Sequence, residues 1–522
     1  MKSFFALLAT LLIAQSTAFA QNQNLSNGFI FEGEPYLAVN PSNPQHLVVA
    51  WMGFVFQQPV TMKTRVTFDG GQSWSTTVNL PHFSTTWGSA DPSIQFDAAG
   101  DVFVCYVDFS EPDSGAIYTL KSTDGGLSWG NPVVALDIGA DGGQRPIDRP
   151  WFTIDRSTGP YRDHQYLTTM PPQWVALPKR SYFVRSTTGG TAWEPWRYLD
   201  TLNYLVGPAI ASPMPAPAVS ADGTFHAIYP SWETSQNLFP GYFHASSTDG
   251  GASFSYHDVY FGLFNPSDSL AKKGYRLATD PSDPDHLALL MVADLSGDLD
   301  VYLLESTDAG QNWTAPLRVN DDPAGTGVLQ DLVWADFDRD GDLIVTWRDR
   351  RSGNGSGYAQ ASEIWGAVRW KDSTNFAPNF PISDLLSVYD TTYGPLSGND
   401  FMGSVLVDDT LSAVWGDVRQ GRLNIYFSRI ALGNMTTALE QQIGGEELPE
   451  LHLFPNPTDN RIELRGDWLH SAELIGSNGQ KLGSWKIEGP TFAVPLENCP
   501  AGTYFLRVQT NRGMVAKKLV KQ

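Results

Sequence analysis

The chain is poor in whatever staples or anchors a protein. Its 522 residues include two cysteines, Cys105 and Cys499. They fall in segments read below as different domains, so the fold is expected to hold without a disulfide. Positive charge is scarce: 34 Lys and Arg stand against 56 Asp and Glu, a formal charge of −22. That balance argues against nucleic acid or an anionic membrane as a partner of the whole chain. Past residue 20 no apolar run reaches the length of a membrane span. The apolar run that does exist opens the chain. Lys2, the stretch Phe4 to Ala14 and then Ala18-Phe19-Ala20 read as a secretory signal over residues 1–20.

Aromatics and tight-turn residues are abundant by contrast, with 17 Trp and 48 Gly. They are arranged periodically. Ser306-Thr307-Asp308-Ala309-Gly310-Gln311-Asn312-Trp313 has the form S-x-D-x-G-x-x-W, and it recurs. Asp69, Gly71 and Trp74 form one copy, Asp124, Gly126 and Trp129 a second, and Asp249, Gly251 and Phe254 a third. Ser186 to Trp193 is a worn copy with Thr188 in the Asp place, and Lys371 to Phe376 keeps only the terminal aromatic. A fixed period of this size signals a repeat architecture. The octet has the chemistry of a tight hairpin. The Asp accepts hydrogen bonds from nearby backbone N–H groups, the Gly supplies positive φ, and the aromatic buries its ring.

Seven units of four short strands, A to D, can be laid over residues 21–431. Strand A opens at Glu34-Pro35, Asp91-Pro92, Arg149-Pro150, Met214-Pro215, Tyr275-Arg276, Asp331-Leu332 and Asp400-Phe401. The expected fold is all-β, a seven-bladed propeller with six blades as the alternative. The seventh unit lacks a strand D, which Gly28 to Glu32 is expected to supply, closing the ring. Residues 432–450 read as a linker. Residues 451–522 alternate like a small separate β-sandwich, with nine Lys and Arg against six Asp and Glu.

The octets resemble the Asp-box (BNR repeat) of sialidase-like propellers, in which the box is structural. That resemblance makes Asp69, Trp74, Asp124, Trp129, Asp249, Phe254, Asp308 and Trp313 scaffold. The segment opening Leu453-Phe454-Pro455-Asn456-Pro457, with Ala501-Gly502-Thr503-Tyr504-Phe505 and a basic tail, resembles the C-terminal sorting domain of type IX secretion. It implies that the secretion machinery is a partner. It also implies that the chain is secreted or displayed on the outer surface of a Gram-negative bacterium.

Both A–B and C–D turns are short, while the B–C and D–A connections are long. Long loops in a compact domain carry function, so the site is expected on the loop-rich face, near the axis. Candidates for substrate binding are Glu34, Asp91, Asp148, Asp331 and Asp400. Candidates for catalysis are Asp349, Arg351, Asp417 and Arg419 at the ends of strand B, with Arg149. The resemblance implies that Arg149, Arg351 and Arg419 form an arginine triad and that Tyr389 or Tyr393 is a nucleophile. The chain departs from true sialidases in carrying Glu34-Pro35-Tyr36-Leu37 where they carry Phe/Tyr-Arg-Ile-Pro. Carbohydrate is the ligand the resemblance implies, bound with or without cleavage, and the alternative is a non-catalytic glycan- or protein-binding propeller. No cofactor is required by this reading. Asp336, Asp338 and Asp340 match the first half of a D-x-D-x-D-G calcium loop, but its twelfth position is Trp347 instead of Glu. The register places it at an A–B turn, so a solvated acidic turn is the preferred reading there, with calcium as the alternative.

Overall fold

The computed structural model describes residues 22–433 and 452–521, apart from 111–112, 264–273, 354, 389–399, 456, 459, 477–480, 498 and 511–512. Residues 1–21, where the signal segment is expected, Tyr389, Tyr393 and most of the linker lie outside the described residues. Two compact units emerge, one ending at Ala431 and one starting at Leu432.

The first unit is a seven-bladed β-propeller, each blade a sheet of four antiparallel strands. The innermost A strands are Glu32–Asn40, Gly88–Phe96, Asp148–Ile154, Ala216–Val219, Tyr275–Thr279, Gln330–Phe337 and Gly403–Val407. Each touches the next in an unbroken cycle, the seventh returning to the first. The B strands read as continuous apolar runs because neighbouring blades cover both of their faces. Val48, Val49, Ala50 and Trp51 are all fully buried, as are Leu287 to Met291.

Ring closure uses a different segment from the one expected. Gln23–Asn24 is the fourth strand of blade 7, pairing antiparallel with Phe427 and Tyr426. Leu25, almost fully buried, seals the joint. Residues 28–32 instead lead into blade 1, where Phe31 makes a single bridge to Leu423.

The octets are C–D hairpins. Asp308 accepts from the Asn312 N–H at 2.9 Å and from the Ser306 hydroxyl at 2.8 Å. Ser306 Oγ in turn accepts from the Gly310 N–H at 2.8 Å, and Gly310 has φ +85°. Asp69, Asp124 and Asp249 repeat the pattern. In the worn copy Thr188 Oγ1 stands in as acceptor for the Ala192 N–H at 2.9 Å. The aromatics reach the preceding blade: Trp129 Nε1 donates to Thr64, Trp74 packs edge-on to Phe427, and Phe254 to Phe183.

The second unit is one antiparallel sheet of five strands. Its long strand Arg461–Gly476 pairs on one side with Lys481–Pro495. On the other side it pairs with His452–Phe454 and then with Gly502–Thr510. The sheet folds around a core that includes Ile462, Leu474, Val494 and Leu506. Cys105 and Cys499 are both free thiols.

Candidate functional site

Four A strands carry a bulge at the loop-rich end, and each bulge places one residue in the left-handed region. These are Glu34, Asp91, Arg149 and Leu332, at φ between +52° and +56°. In three of them the next residue is proline, which has no N–H to give the ladder. Non-glycine residues held at such φ values mark sites that the surrounding fold over-determines. The expected alignment is thus corrected by one residue in blade 6. The position equivalent to Glu34, Asp91 and Arg149 belongs to Leu332, not Asp331. By the pairing register it belongs in blade 7 to Phe401, not Asp400.

At this rim the structure brings four of the expected residues together. Asp91 Oδ2 accepts from the backbone N–H of Arg149 at 3.1 Å, which joins blade 2 to blade 3. The Arg149 guanidinium meets Asp400 at 2.5 Å and lies over the Phe401 ring. Asp148 lies close enough to Asp91 for the two carboxyls to interact. Burial pushes its carboxyl up to about 8, and the Asp91 charge adds to this against the opposing pull of Arg149 and Lys179. Lys179, from the B–C loop of blade 3, is 3% exposed, and burial depresses its amine while Asp148 props it up. Asp148, its proton held more tightly than in water, thus stands between the Asp91 carboxyl and the basic side chains Arg149 and Lys179. Glu34 occupies the same bulge position in blade 1 and is buried.

One step toward the octet face the axis is closed. Trp334 meets Tyr36 edge-on at 4.9 Å, and Trp151 lies 5.7 Å from Trp334 and 6.1 Å from Phe401. Arg276 rests over Trp334 at 4.3 Å and over Trp151 at 5.3 Å. The charged rim therefore has an aromatic floor.

The remaining candidates are engaged elsewhere. Asp331 is fully buried and bonded by both Arg348 (2.6 and 2.7 Å) and Arg350 (3.1 and 3.2 Å). Burial raises its carboxyl, but the two guanidinium groups more than offset this and hold it well below the usual range. Asp349 accepts from the Trp347 indole at 2.7 Å and from Arg351 at 3.0 Å. Arg351 also bonds Asp321 at 2.6 Å and lies over Trp365. Blade 7 repeats this device: Trp415 and Arg419 both hold Asp417, and Arg419 pairs with Asp384. Three arginines were expected to act together. Each is held by its own set of carboxylates: Asp400 for Arg149, Asp349 and Asp321 for Arg351, Asp417 and Asp384 for Arg419.

The acidic turn lies between strands A and B of blade 6. It gathers Asp338, Asp340 and Asp342, with carboxylate oxygens within 4.8 Å of one another. Asp336 is not part of it; its carboxylate accepts from the Leu406 N–H of blade 7 at 3.0 Å. Sequence reasoning missed Lys179, which carries no motif. It also missed the floor, although Tyr36, Trp151 and Trp334 all lie just past the aligned openings.

Among the described residues no helix is long and apolar enough to cross a membrane. No curated protein matches the sequence. Among solved structures, a protein of unknown function from Dyadobacter fermentans matches at 14% identity and a TM-score of 0.43. That match covers 80% of this chain and 99% of the other. The Hadza microbial sialidase Hz136 matches at 12% identity and 0.42, over 72% and 74%. The GH93 α-L-arabinofuranosidase of Fusarium graminearum matches at 14% and 0.42, over 66% and 94%. At this distance none of these likenesses carries an activity over to the chain. The C-terminal match is of another kind: residues 452–522 fit the family described as the secretion system C-terminal sorting domain. This propeller therefore ends in a type IX secretion signal, and the protein is secreted or held on the outer cell surface.

Proposed function

We propose that the protein binds carbohydrate at the axial rim of the loop-rich face, with Asp148 as the proton donor of a glycoside-cleaving site. The observation that carries this reading is the cluster of Asp91, Asp148, Arg149, Lys179 and Asp400 above a closed aromatic floor. A carboxylic acid that keeps its proton near neutral pH is what protonation of a leaving-group oxygen requires. Asp400, across Arg149, supplies the second carboxylate. The octets Asp69 to Trp74, Asp124 to Trp129, Asp249 to Phe254 and Asp308 to Trp313 act in this reading as scaffold on the opposite face.

A second reading, binding without cleavage, is favoured by one observation. Asp400, the second carboxylate of the first reading, is held by the Arg149 guanidinium at 2.5 Å, whereas glycoside hydrolysis needs that group as nucleophile or base. The full chain, screened on sialosides, neutral oligosaccharides and uronate polysaccharides, separates the two. Turnover lost in Asp148→Asn supports cleavage. Binding retained with no turnover in the wild type supports the second reading, and no binding of any glycan removes both.

A further inference from the structure

The large apolar side chains that the propeller leaves exposed are distributed unevenly. Phe29, Phe56, Phe83, Leu202, Leu238 and Leu263 are each at least 65% exposed, and all stand on B–C or D–A connections. On the octet turns the most exposed are Leu127 and Phe68, at about half. Large apolar side chains left exposed on one face are candidate points of contact.

Within this surface Phe83 is held in place. Its N–H donates to Asp108 Oδ2 at 2.7 Å, and Asp108 is fully buried. The preceding His82 is fixed between Asp108 at 2.7 Å and the Thr61 hydroxyl at 2.9 Å. The Phe83 ring stacks on Trp87 at 5.6 Å and 27° and on Tyr118 at 5.5 Å and 21°. A buried carboxylate is thus spent on fixing an exposed phenyl ring, where a mobile polar loop would satisfy solubility. The same loop runs directly into strand A of blade 2. Trp87 is four residues from Asp91, a span of roughly 13 Å at extended-chain rise.

We propose that Phe83, backed by Trp87, is a stacking subsite for a sugar ring of an oligosaccharide whose end occupies the axial rim. The inference rests on the carbohydrate reading of that rim and adds that the ligand is a chain and not a monosaccharide. A fixed aromatic face suits the apolar face of a sugar ring, and a chain reach of up to roughly 13 Å from Trp87 to Asp91 leaves room for more than one sugar.

The test is isothermal titration of the full chain with short and long members of xylo-, gluco- and galacturono-oligosaccharide series. Phe83→Ala is expected to weaken binding of the long members about tenfold, the scale of one aromatic contact. It should leave the short members unchanged, and Phe83→Trp should retain wild-type affinity. Because the ring is exposed, the melting temperature of Phe83→Ala should match wild type. Equal affinity of Phe83→Ala and wild type for long members, with binding still sensitive to Asp148→Asn, overturns the subsite and spares the axial reading. Failure of the wild type to bind any length overturns both, as does Phe83-dependent binding of protein alone.

Discussion

The backbone N–H of Arg149 donates to the carboxylate of Asp91, so the bulge of blade 3 is fastened to the bulge of blade 2 across the blade boundary. Arg149 is thereby fixed twice, at its backbone by Asp91 and at its guanidinium by Asp400. In the proposed site a ligand would meet a preset rim instead of assembling it.

The first prediction concerns Asp148 and pH. Its folded carboxyl is raised to about 8 by burial and by Asp91, above an unfolded value of about 3.9. Between these limits the folded state holds the extra proton, so its contribution to stability declines as pH rises and levels off above about 8. The melting temperature of Asp148→Asn minus that of wild type should therefore climb from pH 5 to 8 and then flatten. A difference independent of pH would show that Asp148 is ionised in the fold.

Turnover, where glycan cleavage is observed, should fall as pH rises through about 8, because the donor loses its proton. Asp148→Asn should lower kcat by about 10²–10⁴-fold, the usual yield of general acid catalysis. A pH–rate profile of both proteins checks this.

Asp331 should prove structural. Asp331→Ala leaves Arg348 and Arg350 without the carboxylate that both share. Removing one partner of such a buried group costs about 3–5 kcal/mol. Urea denaturation should show that loss, while glycan affinity of the folded protein stays at the wild-type value.

The octets should likewise affect stability and not binding. Asp308→Ala removes acceptors for Ser306 and for both Asn312 donors. The expected loss is about 1–3 kcal/mol, with unchanged glycan affinity by titration calorimetry. Weakened binding would place the octets in the site.

Calcium at the acidic turn of blade 6 is open to a direct measurement. Burial and the bond to Asp340 push the Asp338 carboxyl up to about 7. A cation would relieve that crowding only once the carboxyls are ionised. If the turn holds calcium, the ion raises the melting temperature at pH 8 and not at pH 5, and Asp340→Asn abolishes the effect. An unchanged melting temperature at pH 8 leaves a solvated turn.

The architecture was legible because its signals are local. Hairpin turn chemistry, the octet period and the apolar B strands all lie within a few residues of one another in the chain. The axial register was not: the bulge of blade 6 lacks the proline that marks those of blades 1 to 3, and the A–B pairing of blade 7 has no bulge, so Asp331 and Asp400 align one place early. Arg351 and Arg419 were misleading for a related reason. Their partners Asp321 and Asp384 come from separate connections, and no spacing rule reveals that a guanidinium is already spent. Lys179 acquires its setting only from the tertiary fold.

The two-residue strand at Gln23 and Asn24 has a kinetic corollary. It docks onto a partner some 400 positions away, with Asn24 reaching Tyr426 across a separation of 402. Loop-closure entropy makes so distant a pairing a late event. Six blades can zip up sequentially behind the growing chain, but the seventh must wait until residue 431 has emerged and residues 23 and 24 return to it. Trimming past Asn24 would leave an unlatched circle with a raw sheet edge.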